Sequence, residues 1–138
     1  MSLVKPDAAT SARMARIRQR GTKIETLVAT ELRRLGLHYR KNVKRLPGSP
    51  DFANRSRRWA VFVNGCFWHH HTGCVRATVP KSNVAFWEEK FEANRRRDAR
   101  AIRRLRREGY RVVLIWECET ERIGDKLGKV LEMHDAGG

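Results

Sequence analysis

The sequence predicts a single α/β domain in which a sheet is covered by helices. Two short runs rich in β-branched and aromatic residues, Trp59 to Val63 and Tyr110 to Trp116, are typical of buried strands. Before, between and after these runs, apolar residues recur at helical spacing. Strands that alternate with helices in this way favour a sheet with helices packed on it. A chain of 138 residues is about one domain long, and no repeat or linker divides it.

The first elements are a tail and one or two helices. Residues 1–12 are small, polar and aperiodic, so a flexible tail is predicted there, and the single domain is assigned to residues 13–138. The basic stretch from Arg13 to Arg20 permits a short helix. A longer helix is predicted from Lys23 to Leu35, where Thr22-x-x-Glu25 reads as a capping box.

The remaining elements contain both strands and two further helices. Leu37 to Val43 is predicted to be an irregular strand, followed by a proline-rich turn and then by the first buried strand. A long helix from Asn83 to Glu108 precedes the second buried strand, and Gly109 is placed to end it. The last helix is predicted from Arg122 to Met133.

Charge is the strongest compositional signal. Thirty Lys and Arg against fifteen Asp and Glu give a formal charge of +15. Much of the excess is arginine, whose planar guanidinium suits phosphate, so nucleic acid is the favoured partner. Ribosomal association, an acidic protein partner or an arginine-rich genome are the alternatives. No apolar run approaches the roughly 20 residues of a membrane span. The N-terminus lacks a secretory apolar region, so a cytoplasmic, nucleoid-associated protein without a membrane partner is expected.

The segment from Val61 to Cys74 is rich in soft metal ligands. Cys66, His71 and Cys74 fall within nine residues, and thiolate and imidazole are the ligands that zinc prefers. A structural zinc site normally has four ligands, and Cys118 is the only other cysteine. Three cysteines, an odd number, argue against a disulfide framework. An ordinary buried thiol is the alternative for Cys118, and spacing alone does not decide which histidine binds the metal.

A second group of residues suits phosphodiester chemistry. Pro50-Asp51 lies between two extended segments and is similar to the first half of the nuclease pattern Pro-Asp followed by Asp/Glu-x-Lys, but Val61 to Asn64 lacks the second half. A carboxylate there can hold Mg²⁺ against a phosphate, although Pro-Asp is more often a turn. His69 can move a proton in place of the absent lysine. Glu25 is a further candidate carboxylate, with the helix cap as its alternative role.

Several motifs together resemble the very-short-patch repair endonuclease (Vsr) family, which nicks DNA beside a T:G mismatch left by deamination of 5-methylcytosine. The residues that carry the resemblance lie between Ser11 and Glu119: Met14, Glu25, Leu46-Pro47-Gly48, Pro50-Asp51-Phe52, Gly65-Cys66-Phe67-Trp68-His69-His70-His71, Phe86-Trp87 and Trp116-Glu117-Cys118. The Gly-Cys-Phe-Trp-His block is the most specific of them.

The resemblance implies a restriction-endonuclease-like fold of the PD-(D/E)XK type, with a mixed sheet, a structural zinc and a Mg²⁺-dependent active site. It implies that Asp51 binds the catalytic metal, that His69 is the catalytic histidine and that Glu25 supports the site. The main-chain carbonyl of Val63 is implied as a further Mg²⁺ ligand. Asn64 stands where a histidine is expected, which bears on metal geometry and rate.

The resemblance also implies roles for the zinc ligands and the aromatic residues. Cys66, His71, Cys74 and Cys118 match the zinc ligands, with one extra residue after His71. Phe67, Trp68 and Trp87 resemble rings that wedge beside the mismatch from the major groove, and Met14 a residue that enters from the minor groove. Core packing is the alternative for Trp87. Asn94, on the long helix, is assigned to DNA binding, although its bonding partner is not decided by sequence.

The predicted function is therefore that of a monomeric, Mg²⁺-dependent endonuclease that nicks double-stranded DNA beside a T:G mismatch. Two alternatives stay open: a nuclease of the same fold with a different DNA specificity, and a zinc-stabilised DNA-binding module with weak or lost catalysis. The flanking sequence and any coupling to other repair proteins are not predicted.

Overall fold

The computed structural model describes residues 8–136 and confirms a mixed α/β domain with one four-stranded sheet. The elements in chain order are α1 (Ala8–Arg34), β1 (Arg40–Lys41), β2 (Phe52–Asn54), β3 (Trp59–Asn64), α2 (Val84–Arg107), β4 (Arg111–Trp116), a 3₁₀ turn (Thr120–Arg122) and α3 (Ile123–Ala136).

The sheet has the order β1-β2-β3-β4 and is mixed. The first three strands are antiparallel, and β3 pairs in parallel with β4, with α2 as the connection between them. A parallel pair needs such a crossover, and a helix usually provides it. β3 pairs on both edges, and all six of its residues are buried because helices cover both faces of the sheet. The carboxyl ends of β3 and β4 lie side by side, with Asn64 opposite Trp116.

Helices cover the two faces of the sheet. Side chains alternate along a strand, so residues at every second position face the same way. In β3, Val61 and Val63 pack on one face against α1 and α3, in a cluster that includes Val28 and Leu127. Ala60 and Phe62 pack on the other face with Leu105 of α2 and with Leu46. The sheet therefore lies between α1 with α3 on one side and α2 on the other.

The first helix differs most from the sequence prediction. A single helix, α1, spans both the short helix from Arg13 and the longer one to Leu35, and it begins already at Ala8. Residues 8–12 of the predicted tail are thus helical, while residues 1–7 lie outside the described part of the chain. The capping box is wrong because Thr22 lies inside the helix, where its carbonyl accepts a hydrogen bond from the Thr26 hydroxyl.

The strand predictions were partly wrong at the sheet edge. The irregular strand from Leu37 to Val43 shortens to Arg40–Lys41, and Phe52–Asn54 forms a strand that was not predicted. Both are too short to show a two-residue alternation pattern. The two buried strands and the long helix agree with prediction to within one residue at each end. None of the described helices is both long and apolar enough to cross a membrane.

Candidate active site and metal centre

Asp51 lies immediately before β2, at the end of the sheet where β3 finishes. Its Oδ2 atom accepts a hydrogen bond from the main-chain N–H of Val63, with an N···O distance of 2.6 Å. The pairing of Phe52 with Val61 brings Asp51 to this position. The side chain of Val63 packs in the core, so only its main chain faces the carboxylate.

The other two predicted catalytic residues act electrostatically on Asp51. Burial raises the pKa of Asp51, the Val63 N–H opposes that rise, and the neighbouring carboxylate of Glu25 adds to it; the resulting pKa is about 6. His69 is close enough to lower the same pKa. The structure therefore brings Glu25 from α1, Asp51 from the sheet and His69 from the loop after β3 to one place.

His69 is held by a residue on α2. Its Nδ1 atom hydrogen bonds to the carboxylate Oδ2 of Asp98. Both side chains are partly exposed, at 27% and 30% of their full accessibility. A carboxylate on Nδ1 fixes the ring orientation and leaves Nε2 for proton transfer. The pair therefore has the arrangement that an oriented general acid or base requires.

Three consecutive histidines go to three different places. His69 bonds to Asp98, whereas the ring of His70 stacks on Phe91 at a centroid distance of 4.5 Å. The ring of His71 stacks on Trp116 at 4.0 Å, and its Nδ1 atom faces the cysteines. His70 has a positive φ of 46°, a rare conformation outside glycine, and it separates the two neighbouring rings.

Four predicted zinc ligands form one cluster. The Sγ atoms of Cys66, Cys74 and Cys118 and a ring nitrogen of His71 all lie within 4.8 Å of one another. His71 Nδ1 is 3.7 Å from Cys66 Sγ and 3.5 Å from Cys118 Sγ. A tetrahedral zinc with usual bond lengths separates sulfur and nitrogen ligands by about 3.6 Å. The donor set and its spacing fit zinc, and Cys118 is exposed, not the buried thiol of the alternative reading.

The thiols of this cluster influence each other. Burial raises the pKa of Cys66 far above its usual value, and burial also raises that of Cys118. The pKa of Cys74 is lowered: burial opposes the change, but the main-chain N–H of Arg76 and the two other thiols favour it. A divalent cation would deprotonate all three, because thiolate is the form that binds metal.

A buried carboxylate anchors the metal loop to the sheet. Glu117 is only 5% exposed, and its Oε1 atom accepts a hydrogen bond from the N–H of Cys66 at 3.2 Å. In turn, the N–H of Glu117 bonds to the carbonyl of Asn64. This connects the first cysteine of the loop to the segment that carries Cys118. The same N–H of Glu117 continues the pairing of β3 and β4 beyond their ends.

The predicted DNA-contacting residues form an aromatic cluster that is largely buried in the free chain. Met14, Phe67 and Trp87 are each no more than 4% exposed, and they pack with Ile17 and Phe91. Trp68 is half-buried at the edge of the cluster, where the ammonium of Lys90 lies 5.9 Å from its ring centroid. Core packing thus describes Trp87 here, and Trp68 is the most accessible of the rings.

Asn94 positions the main chain next to this cluster. Its side-chain amide donates a hydrogen bond to the carbonyl of Trp68 at 2.9 Å. Asn94 and Asp98 are four residues apart on α2, so they lie on the same helix face. One holds Trp68 and the other His69, and α2 fixes both consecutive loop residues.

Two functional residues were missed by the sequence prediction. Asp98, on α2, was given no role, and Glu117 was seen only as part of the Trp-Glu-Cys motif. His69 and Asp98 lie 29 positions apart, so no regular spacing in the sequence indicates that they pair. One signal was present: Asp98 is the only acidic residue between Glu92 and Glu108, in a stretch dense in arginine.

Comparison with known proteins gives consistent matches. Residues 4–76 match the family described as DNA mismatch endonuclease Vsr. Type II nicking enzyme V.XorIIP of Xanthomonas oryzae pv. oryzae is 43% identical over 80% of this chain and 81% of its own length. DNA mismatch endonuclease Vsr of Escherichia coli is 42% identical over 86% of this chain and 75% of its own. Type II nicking enzyme V.NmeAIP of Neisseria meningitidis is 42% identical over 77% and 75%.

Proposed function

The chain belongs to the Vsr family of DNA endonucleases, and from this premise we propose that it nicks one strand of double-stranded DNA beside a T:G mismatch. The observation that carries the proposal is the convergence of Glu25, Asp51 and the His69–Asp98 pair at one end of the sheet. A mismatched substrate is supported by the name of the Escherichia coli relative and by the aromatic cluster beside the site, and the choice of T:G follows the family resemblance.

We propose Mg²⁺ as the catalytic cofactor, held by Asp51 with support from Glu25 and from the Val63 main-chain carbonyl. Burial raises the pKa of Asp51, and repulsion from the neighbouring carboxylate of Glu25 adds to that rise. Oxygen ligands of this kind suit a hard divalent cation. When bound, the ion activates water and offsets charge on the leaving oxygen. The N–H of Val63 fixes Asp51 for that role.

We propose that His69 moves the proton in the nicking step. Asp98 holds the Nδ1–H side of the ring, which leaves Nε2 to take a proton from water or to give one to the leaving oxygen. General acid–base catalysis of this kind contributes about 10²–10⁴-fold to a rate. His69 thus supplies the proton-transfer group that the missing Asp/Glu-x-Lys lysine would otherwise provide.

The aromatic cluster is proposed to wedge into the base stack beside the mismatch. Phe67 and Trp87 are covered in the free chain by Met14 and Ile17 of α1. For these rings to reach DNA, the N-terminal turns of α1 must move away, which places Met14 on the opposite side of the wedge. Unstacking costs least at a mismatched pair, so insertion favours T:G over paired DNA.

The remaining assignments support a compact nuclease. A restriction-endonuclease-like core is supported by a mixed sheet with Asp51 at the end of its central strands. The Cys66, His71, Cys74 and Cys118 cluster is proposed to hold a structural zinc, because four protein ligands leave no open position. We further propose that the protein acts as a monomer on chromosomal DNA in the cytoplasm.

A second candidate function is nicking with a different sequence preference. Two of the similar relatives are named type II nicking enzymes, which favours this alternative within the same active site. The weaker alternative, a DNA-binding module without catalysis, rests on Asn64 in place of histidine and on the absent Asp/Glu-x-Lys. Both share the site described above and differ only in the product.

A nicking assay tests the proposal. Zinc-loaded protein is incubated with labelled duplexes that carry either T:G or a paired base in varied flanking sequence, with and without added Mg²⁺. The expected product is a single-strand nick beside the mismatch that requires Mg²⁺. Equal nicking of paired duplex in one sequence context would favour the second candidate, and binding without any nick would favour the module. Chelators are avoided because they also remove zinc.

A further inference from the structure

A cleft lined by arginine lies on the sheet face that α2 covers. Its volume is about 890 Å³. Its base is formed by Pro47, Gly48 and Ala101, and six arginines surround it: Arg97, Arg100, Arg103, Arg104, Arg106 and Arg107. We call these residues the arginine groove. None of the residues assigned above to catalysis, zinc binding or base contact lines it.

Two residues at the base of the groove lie close along the chain to residues of the candidate active site. Ala101 is one helical turn after Asp98, which holds His69, and a turn rises about 5 Å. Gly48 is three residues before Asp51, at most about 10 Å along the chain. The two walls touch, because a Cβ on Gly48 would lie 2.6 Å from the Cβ of Ala101. Gly48 and Ala101, which lie close along the chain to Asp51 and Asp98, therefore belong to the same part of the groove.

Five of the six groove arginines have no ion-pair partner among the residues that the structure describes. The sixth, Arg104, pairs with Glu108 at 3.5 Å. Earlier on the same helix the pattern differs, because Arg95 and Arg96 both bond to Glu92. Like charges three or four residues apart on a helix repel. The positive charge of the groove is thus poorly compensated in the free protein.

We propose that the arginine groove binds the phosphodiester backbone of duplex DNA next to the nicked step, and adds affinity that does not depend on sequence. The proposal rests on the proposed nuclease function for the position of the DNA. Arg97, Arg100, Arg104 and Arg107 share one face of α2 and span about 15 Å. One DNA strand carries a phosphate per 3.4 Å of axis, so about four phosphates match this length.

The arginines of the groove suit a phosphodiester backbone better than they suit the surface of a partner protein. Its guanidinium forms paired hydrogen bonds with phosphate oxygens, and it keeps its charge at any physiological pH. The base of the groove offers small residues and main chain, and no aromatic ring lines it to stack on a base. A backbone contact, which carries affinity without base recognition, fits these features.

Two charge-matched double variants test the proposal. Arg100→Gln with Arg107→Gln removes two unpaired arginines of the groove, whereas Arg95→Gln with Arg96→Gln removes two arginines that are paired with Glu92. All four side chains are exposed, so both variants should fold, which circular dichroism checks. Equilibrium binding of zinc-loaded protein to a labelled paired duplex is then measured without Mg²⁺ at several salt concentrations.

The groove variant should bind at least tenfold more weakly at low salt, and its slope of log K against log salt should fall by up to about 2, at about 0.9 per lost phosphate contact. The Glu92-paired variant should change the slope by less than half as much. Equal slopes for the two variants, or a wild-type slope in the groove variant, would overturn the proposal in favour of a solvated surface or a protein-binding face.

The same experiment separates this proposal from the proposed function. Because the probe is a paired duplex and no cleavage occurs, the slopes are read whether or not the protein prefers T:G. A parallel titration with a T:G duplex gives the ratio of the two affinities. The groove variant should leave that ratio unchanged, since backbone contacts carry no base information. A changed ratio would count against the groove as a backbone site.

Discussion

The Nδ1 atom of His69 hydrogen bonds to the carboxylate of Asp98, which lies 29 residues further along the chain on α2. The relationship joins the loop after β3 to the helix that packs across the sheet. Asp98 also lies four residues after Asn94, whose amide holds the carbonyl of Trp68. The helix therefore orients a catalytic candidate and a base-contacting candidate together.

Replacing Asp98 with Asn should lower the nicking rate about 10²-fold or more, because the ring of His69 loses the carboxylate that fixes its protonated nitrogen. Affinity for a T:G duplex should stay within about twofold, because Asp98 acts on the proton-transfer group and not on DNA binding. Single-turnover kinetics measure the rate, and equilibrium binding measures the affinity. A double variant with His69→Ala should be no slower than His69→Ala alone, because the two residues act as a unit. Additive losses would show that Asp98 acts elsewhere.

Sequence patterns located the parts of this site that lie close together in the chain. Cys66, His71 and Cys74 lie within one loop, and Asp51 follows a proline that marks a break, so local spacing revealed them. The α/β class was confirmed for the same reason, since buried β-branched strands and long amphipathic helices carry their own periodicity.

What the sequence did not predict depends on contacts between distant elements. The Asp98 partner of His69 and the Glu117 anchor of Cys66 arise only when α2 and β4 pack beside the loop. The burial of Phe67 under Met14 needs the full length of α1, which was predicted as separate pieces because Gly21 and its polar neighbours interrupt the apolar pattern. Tertiary packing overrides local propensity at such places.

The raised pKa of Asp51 predicts a trade between stability and activity. The pKa of the Asp51 carboxyl is about 6 in the folded protein, against 3.8 in the unfolded chain, so the protein loses stability as pH rises through that range. The loss is roughly 3 kcal/mol once the carboxyl is fully ionised. Asp51→Asn should therefore unfold at a higher urea concentration than wild type at pH 8 without Mg²⁺, and the difference should disappear below about pH 4. The variant should not nick. A wild type more stable than the variant at pH 8 would contradict this prediction.

Removing Cys118 should release zinc without damaging the core. The side chain is exposed, so Cys118→Ser costs little packing, and any loss of stability reports the metal. The purified wild type should contain one zinc per chain by elemental analysis, and the variant much less. His70→Gln is the matched control, because His70 stacks on Phe91 and is not part of the ligand cluster. Loss of zinc in that control, with retention after His71→Gln, would reverse the assignment of the histidine.

Gly48 should tolerate no side chain, for two separable reasons. Its φ of +75° disfavours other residues, and a Cβ would meet Ala101 at 2.6 Å. Gly48→Ala should cost about 2–4 kcal/mol in the free energy of unfolding, measured with urea. Gly36→Ala is the control, since Gly36 has a φ of +74° but nothing within 4 Å of its added Cβ. Gly36→Ala should lower the free energy of unfolding only by the conformational part of the cost, about 1 kcal/mol. Equal costs would mean that the loop moves away from α2 freely.

Trp68 should contribute more to the discrimination of T:G from paired duplex than Phe67 and Trp87, which are buried in the free chain. Of Phe67, Trp68 and Trp87 it is the one that is not buried, and the ammonium of Lys90 beside it can contact a phosphate. Stacking on a base is worth about 1–3 kcal/mol, so Trp68→Ala should reduce the preference for T:G over paired duplex by about fivefold or more. Trp68→Phe keeps a ring and should retain most of it. The affinity ratio for the two duplexes, measured without Mg²⁺, checks this directly. An unchanged ratio in Trp68→Ala would assign the wedge to Phe67 or Trp87. Because α1 covers both of those rings, its N-terminal turns would then have to move away before either ring contacts DNA.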